Sequence, residues 1–289
     1  MESIDAVIAD NLASWEDRAH VHANGGYGDL TELITNPTCI TGVAQRDFEA
    51  LKPHLPNGSL AGLRLLHLQC HIGTDTICWP RLGAAEVWGL DFSPNALAYA
   101  RDFAAQAGER VTFVQGDARE AFAALDNLRE TFDVIVTSAG TITWLPELIA
   151  WAHSIAQLLA PGGVFMIRDD HPMLFALENS GLTVTQSCFG GTACSYEEST
   201  TYVSAPNGEG KGGELHHTRN HNWAHDFQEI VGALLGAGLV VESLREYDSS
   251  DWRALPMLEY FEDDESWRMP ESLPQIPLTF SLVVRKPKA

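Results

Sequence analysis

The chain has 289 residues, 45% of them apolar, which suits one large globular domain or a core domain carrying an elaborated cap. Eighteen basic residues against 39 acidic ones give a net charge of −21, which repels a phosphate backbone and so favours a small-molecule partner over nucleic acid. No apolar run reaches the ~18 residues of a membrane span, and Met1-Glu2-Ser3 opens no basic leader, so no membrane association is expected and a cytoplasmic monomer or homodimer is. Cys39, Cys70, Cys78, Cys188 and Cys194 are odd in number and match no zinc spacing, so reduced thiols are expected.

Residues 4–20 place Ile4, Val7, Ile8, Leu12 and Trp15 at helical spacing. Asn24-Gly25-Gly26-Tyr27-Gly28 breaks that helix, and a Gly-rich turn with one tyrosine suggests that residues 1–58 form a lid. A second helical segment, 37–56, ends at Pro56-Asn57-Gly58.

Leu63 to Leu68 reads as a buried strand that stops at the polar turn Gln69–Asp75, with a helical stretch following through Leu82. A second strand, Val87 to Leu90, ends on Asp91. Strand, turn, helix, strand and carboxylate make a right-handed βαβ unit with a nucleoside site at its carboxyl edge. The turn offers backbone N–H groups to a ligand carboxylate or phosphate, and Asp91 can accept from two ribose hydroxyls. A dinucleotide site wants G-x-G-x-x-G. Here only Gly73 remains, with Gln69 and His71 where other glycines stand. A single nucleoside with an amino-acid tail fits better than a diphosphate.

Asn95 to Gly108 is predicted helical behind the Ser93-Pro94 start, and Val111 to Gln115 is a strand closed by Gly116-Asp117-Ala118. Phe132 to Thr137 is the fourth strand and Ser138-Ala139-Gly140-Thr141 its turn, before a helix from Trp144-Leu145-Pro146 to Leu159. A turn at Ala160-Pro161-Gly162-Gly163 precedes the strand Val164–Ile167. Residues 59–171 therefore form the cofactor-binding core. Residues 172–225 read as a β-rich cap, a hairpin with its tip at Pro206–Gly213 laid over the substrate mouth. Residues 226–289 supply an amphipathic helix, 226–236, and strands at 239–244 and 278–284 that complete the sheet.

The run Leu66–Thr76, LHLQCHIGTDT, resembles the first motif of class I S-adenosylmethionine-dependent methyltransferases, in a bacterial subgroup that replaces the usual glycines in this way. The acidic residue Asp91 lies 18 residues after Gly73, and Asp117 lies 26 further on, in the family's order. The resemblance implies an α/β fold, a doubly wound, mostly parallel, Rossmann-like sheet of seven strands with a helical lid and a β-rich insertion. It implies S-adenosylmethionine as cofactor and methylation of a small-molecule acceptor at oxygen or nitrogen. Cofactor contacts carried over are Trp15, Gln69, Cys70, His71, Gly73, Asp75, Thr76, Asp91, Phe92, Asp117, Ala118, Ser138, Ala139 and Gly140. Phe92 is expected to stack on adenine and Asp117 to bind its amino group. Asn11, Trp15, Arg18, His22 and Tyr27 match the subgroup's N-terminal segment loosely.

Methyl transfer from a sulfonium needs positioning more than covalent help, so a dry aromatic pocket with a few polar groups is expected, walled by Tyr27, Trp144 and Trp223. His171, in a His-Pro after the fifth strand, and His225, in a Trp-x-His, are the catalytic candidates, although a lone histidine at a strand end is often structural. Asp169 and Asp170 are expected to raise the His171 pKa, which makes donation to a substrate carboxylate the competing role. His217, His221 and His225 are four apart, but along a strand they spread over ~25 Å, so no metal is expected. The acidic run Glu259–Glu265 reads as a solvated loop between Trp252 and Trp267. A non-catalytic S-adenosylmethionine-binding regulator and a nicotinamide-dependent oxidoreductase are the alternatives.

Overall fold

A computed structural model describes residues 3–177, 182–203 and 214–288. The predicted tip at Pro206–Gly213 lies outside the described residues. Helix α1, Ile4–Val21, starts at Ser3, whose hydroxyl accepts the Ala6 N–H. It runs into a wide turn at His22–Gly26, where Asn24 and Gly25 leave helical geometry. A short helix α2, Thr31–Thr35, precedes the predicted 37–56 segment, within which α3, Gly42–Leu51, is capped by Thr41.

The core alternates β1 (Arg64–Leu68), α4 (Cys78–Arg81), β2 (Glu86–Asp91), α5 (Pro94–Ala107), β3 (Val111–Gln115), α6 (Ala121–Ala124), β4 (Phe132–Ser138), α7 (Ile149–Leu158) and β5 (Leu159–Asp170). The helix after the β1 turn is one turn long, because residues 71–77 are spent on the turn itself. Helix α5 has the predicted ends: Ser93 caps it, Pro94 opens it, and Gly108 closes it in left-handed geometry. The Ala160–Gly163 turn is absorbed into β5 as a register shift, with Leu159 opposite Phe132 and Val164 opposite Val134. A Cβ on Gly163 would lie 2.9–3.0 Å from three backbone oxygens, so only glycine lets the strand close there.

The cap hairpin pairs β6, Ala193–Glu197, with β7, Arg219–Trp223, in five antiparallel steps. Then come α8 (Phe227–Gly236), β8 (Val240–Tyr247), β9 (Ser249–Ser250), β10 (Glu259–Phe261), β11 (Ser266–Arg268) and β12 (Thr279–Arg285). The acidic run is a hairpin and not a loop: β10 pairs with β11, and the rings of Tyr260 and Trp267 meet across it at 5.2 Å.

The main sheet has the order β3-β2-β1-β4-β5-β12-β8, parallel except for β12, which runs antiparallel to both neighbours. It is the class I methyltransferase sheet, with β8 and β12 completing it. Two apolar layers flank it. One packs Leu66, Ile135 and Ile167 against Trp151 and Ile230, and the other packs Leu65, Val136 and Met166 against Leu51 and Trp79. Each large side chain fully buried there stabilises by roughly 1.5–3 kcal/mol. No described helix is long and apolar enough to cross a membrane.

Candidate functional site

The turn after β1 holds Gln69, His71 and Gly73 in left-handed geometry, at φ 54°, 48° and 77°. These are the places where the wider family carries glycine, and the backbone shows why: every second residue needs positive φ. Two side chains there cost conformational strain of roughly 1–2 kcal/mol each, and each makes contacts glycine cannot. Gln69 donates through Nε2 to the Thr141 carbonyl at 3.0 Å, tying the β1 turn to the β4 turn. Its Oε1 is buried without a partner among the described residues, an acceptor suited to a ligand ammonium. His71 sends its ring toward the lid. Gly73 packs on Ala100, where a Cβ would approach to 2.8 Å.

Asp91, at the end of β2, is buried and accepts the His71 N–H at 2.8 Å and the Ser93 N–H at 2.9 Å. Burial pushes its pKa up to about 6, against those N–H groups and that of Phe92. The carboxylate keeps lone pairs free for further donors, and burial disfavours its ionised form. Phe92 follows directly, and its carbonyl accepts from Gln115. Asp117 caps the turn 118–120 and pairs with its own neighbour Arg119, Nη2 to Oδ2 at 2.6 Å, while Ala118 is buried behind it. Arg119 thus already engages the carboxylate expected to bind the adenine amino group.

Below the β4 turn, Asp169 accepts from the backbone N–H groups of Gly140 (2.8 Å), Thr141 (2.9 Å), Ile142 (3.1 Å) and Asp170 (2.7 Å), and from the Thr141 hydroxyl (2.8 Å). That carboxylate holds Ala139 and Gly140 in place. Ser138 turns to the opposite face and donates to Asp47.

The lid meets the turn through rings. Trp15 packs edge-on against His71 (5.1 Å) and Trp144 (5.1 Å), and the Arg18 guanidinium lies over both indoles, 5.5 and 5.7 Å from their centres. His22 Nδ1 is 2.8 Å from His71 Nε2, its Nε2 is 2.7 Å from the Thr201 hydroxyl, and its ring stacks on Tyr27 at 4.5 Å. Burial depresses both imidazoles, His22 to about 2 with help from His71 and Arg18, and His71 to about 3 with help from Arg18. Both are neutral rings at ordinary pH. The predicted wall residues Tyr27 and Trp144 thus converge with Trp15 and His71, whereas Trp223 is buried on β7 opposite Ala193.

Three further predicted contacts have partners within the protein. Thr76 is buried with its hydroxyl 2.9 Å from His67 Nδ1, beneath the sheet edge. Cys70 packs with Leu97 and Phe113, and burial pushes its thiol well above the usual range. Asp75 accepts from the Thr41 hydroxyl at 2.5 Å, and burial pushes it up to about 6.

The two histidines expected to be catalytic have both ring nitrogens engaged. His171 Nδ1 accepts the Met173 N–H at 3.1 Å, capping the turn 172–176, and Nε2 lies 2.9 Å from Glu246. Its pKa is lowered, by burial, with Glu246 pulling the other way. The expected increase from Asp169 and Asp170 is corrected: Asp169 faces the β4 turn and Asp170 faces Trp252. His225 sits 2.9 Å from Glu229 and 2.8 Å from the Leu145 carbonyl. His217 and His221 bond to Asp17 and Asp10 separately. Among the described residues no His/Cys/Asp/Glu group could hold a metal ion.

Sequence reasoning missed the polar floor on the other face of β5. Buried Arg168 donates through Nε to Asp47 at 2.6 Å and through Nη1 to Asp251, which also receives Arg46 Nε at 2.9 Å. Two cations balance two carboxylates there, and Arg168 Nη2 is buried with no partner among the described residues. Beside it, Trp252 Nε1 donates to Asp170, and the Tyr202 ring sits 6.0 Å from Trp252 with its hydroxyl 2.8 Å from that of Tyr27. Residues 27, 170, 202 and 252 are too far apart in sequence for any local pattern to join them.

Residues 65–163 match the family model for a methyltransferase domain. No curated protein matches the sequence. Among solved structures, an S-adenosylmethionine-dependent methyltransferase from Mesorhizobium loti aligns at TM-score 0.54 and 20% identity, covering 82% of this chain and 96% of that one. The glycopeptide N-methyltransferase MtfA aligns at TM-score 0.54 and 19% identity, covering 86% and 91%. The [4+2]-cyclase SpnF aligns at TM-score 0.50 and 16% identity, covering 84% and 81%. These likenesses establish the fold, and the matched domain makes the chain a methyltransferase-class enzyme with S-adenosylmethionine as its cofactor.

Proposed function

We propose that the chain methylates a small-molecule acceptor, at nitrogen or oxygen, in the space between the β4 turn and the lid. The observation that carries this is the join of turn, β2 and lid: Asp91 fixes the His71 N–H at 2.8 Å while the His71 ring meets Trp15 and Trp15 meets Trp144. Gln69, His71 and Gly73 bind the amino-acid tail, with Asp75 beside them. Asp91 takes the ribose, and Phe92, Asp117 and Ala118 flank the adenine. Ser138, Ala139 and Gly140 form the floor, and Trp15, Tyr27 and Trp144 exclude water. The cofactor supplies an electrophilic sulfonium methyl. The protein's part is to orient the acceptor and keep the site dry. His171 and His225 act as positioning residues, His171 by capping the turn 172–176 and His225 by tying α8 to the Leu145 carbonyl. Residues 1–58 and 172–225 work together as the cap over the core of 59–171.

Calorimetric titration with S-adenosylmethionine and with NAD tests the cofactor site: binding of the first alone is expected, and binding of NAD alone sinks the reading. Release of S-adenosylhomocysteine against a metabolite library tests turnover. Tight cofactor binding with no release from any acceptor points instead to a regulatory protein.

A further inference from the structure

Asp169 and Asp170 are adjacent on β5 and almost equally buried, 2% and 8% exposed, yet they are served very differently. Asp169 accepts from five donors. Among the described residues Asp170 has one, the Trp252 indole N–H, shared between its two oxygens at 3.1 Å each. A carboxylate has about four acceptor sites, and a buried one left short is costly. The alternation of β5 aims Asp169 at the β4 turn and Asp170 at the other face, where its Oδ2 lies 3.9 Å from the place a Cβ on Gly140 would occupy. A chain of aromatic rings leads away from the carboxylate. Trp252 holds the carboxylate, Tyr202 packs 6.0 Å from Trp252, and Tyr27 joins Tyr202 hydroxyl to hydroxyl at 2.8 Å.

The neighbouring charges compensate it only in part: Arg168 pulls its pKa down and keeps a buried Nη2 with no partner among the described residues. Arg168 and Arg46 are committed to Asp47 and Asp251, and Arg18 is tied to Glu198 at 3.4 Å. Asp75 adds a second carboxyl facing Tyr27 and Tyr202.

We propose that Asp170 receives the methyl acceptor and that the acceptor is an amine, held as its ammonium against the rings of Tyr202, Tyr27 and Trp252. This rests on the methyltransferase reading above and narrows its acceptor class. Aromatic faces and an under-served carboxylate are the environment a desolvated ammonium requires. The same carboxylate can then take one proton from the ammonium nitrogen, leaving a neutral carboxyl and a free nitrogen lone pair. Burial and Asp169 push the Asp170 pKa up to about 8, with Asp251 adding and Trp252 and Arg168 opposing, which makes it a stronger base than an ordinary carboxylate. In the empty site at pH 7 the group is mostly protonated, so an arriving ammonium displaces a proton into solvent.

The test is calorimetry on the full chain saturated with S-adenosylhomocysteine, using benzylamine, phenethylamine and putrescine as probes and phenylacetate and 2-phenylethanol as controls. Binding of at least one amine and of neither control is expected. Repeating it in buffers of different ionisation enthalpy should show protons released on amine binding at pH 7 and fewer at higher pH, where Asp170 is already ionised. Asp170→Asn should weaken the amine about tenfold or more and abolish the proton release. Tyr202→Ala, at a ring 41% exposed and so safe for folding, should weaken it severalfold. Absence of amine binding, equal binding of a control, or unchanged proton release in Asp170→Asn overturns the proposal. So does an equal loss of S-adenosylhomocysteine affinity in a folded Asp170→Asn variant, which would assign the carboxylate to the cofactor. If wild type fails to bind S-adenosylhomocysteine at all, the methyltransferase reading itself falls.

Discussion

The cofactor edge and the cap are built by different means. At the edge, consecutive strand ends and turns of one parallel sheet set the geometry, and the contacts that matter are short in sequence or made to backbone: His71 N–H to Asp91, Gln69 to the Thr141 carbonyl, four N–H groups to Asp169. In the cap, α1 is fastened to a hairpin some 200 residues away by side chains. Asn11 exchanges two hydrogen bonds with the His221 backbone at 2.8 Å, imitating a neighbouring strand, and Asn220 receives Ser14 and Arg18. Asp17 accepts the N–H groups of His216 and His217. The edge is therefore stiff by topology, and the cap is stiff only while these polar pairs hold.

The difference is broken most severely at Asp169. Asp169→Ala leaves buried N–H groups at 140, 141, 142 and 170 without an acceptor, and a loss of ~3–5 kcal/mol is expected in denaturant unfolding, the scale of removing one member of a buried charged network. A change under ~1 kcal/mol would mean that the β4 turn is held by something else. Asp91→Ala comes next. It should weaken S-adenosylmethionine by ~1.5–3 kcal/mol, the cost of lost hydrogen bonds to a charged group, while the empty protein, with the His71 and Ser93 N–H groups left unpaired, should lose less stability at pH 8 than at pH 4. That sign follows from its pKa, raised from an ordinary 3.8 to about 6: the ionised folded form is the disfavoured one, so Asp91 contributes stability below pH ~4 that is lost as pH rises through ~6.

How much was legible in the sequence follows the same division. The β1 turn, Asp91, Asp117 and the capped ends of α5 were readable because propensity, capping and strand order act over a few residues. Even there, positive φ at Gln69 and His71 was hidden by side chains that no left-handed preference would select. The pairing of Asn11 with His221 and of Asp170 with Trp252 left no local trace, since a polar residue on a helix looks the same whether it faces solvent or another strand. For His171 and His225 the role stayed open for the converse reason. A histidine at a strand end has the same letters whether its nitrogens are free or engaged, and here Met173, Glu246, Glu229 and Leu145 engage them.

Asn11→Ala tests whether the cap is a separable unit. It removes both bonds to His221 and leaves a buried N–H, so ~1–3 kcal/mol of local stability should go. Hydrogen exchange is expected to quicken at residues 219–223 and along α1, with the amides of β1, β4 and β5 unchanged. Uniform quickening across the sheet would show that cap and edge unfold together.

The smallest effect expected is pH dependence at the His22–His71 contact, where the two regions touch. Both imidazoles are depressed from 6.5, to about 2 and about 3, chiefly by burial, with Arg18 adding to each. The unfolded chain takes up protons below pH ~6.5 that the folded one does not, so this contact contributes stability above that pH and loses it on acidification toward ~3. Asp75 and Asp91 run the other way over ~4–6, because their folded pKa values are raised, so total stability blurs the signal. A difference measurement isolates it. His22→Asn keeps a hydrogen-bonding side chain without the titration, so between pH 7 and 5 wild type should lose about 1 kcal/mol more than the variant, roughly half the linkage limit for one buried imidazole. Trp15 fluorescence, reporting a ring 5.1 Å from His71, should hold steady between pH 7 and 5 in the folded protein and shift only toward pH ~3, where the rings themselves take up protons. Equal acid sensitivity in both proteins would place the titrating groups elsewhere and leave the ring contact a matter of packing alone.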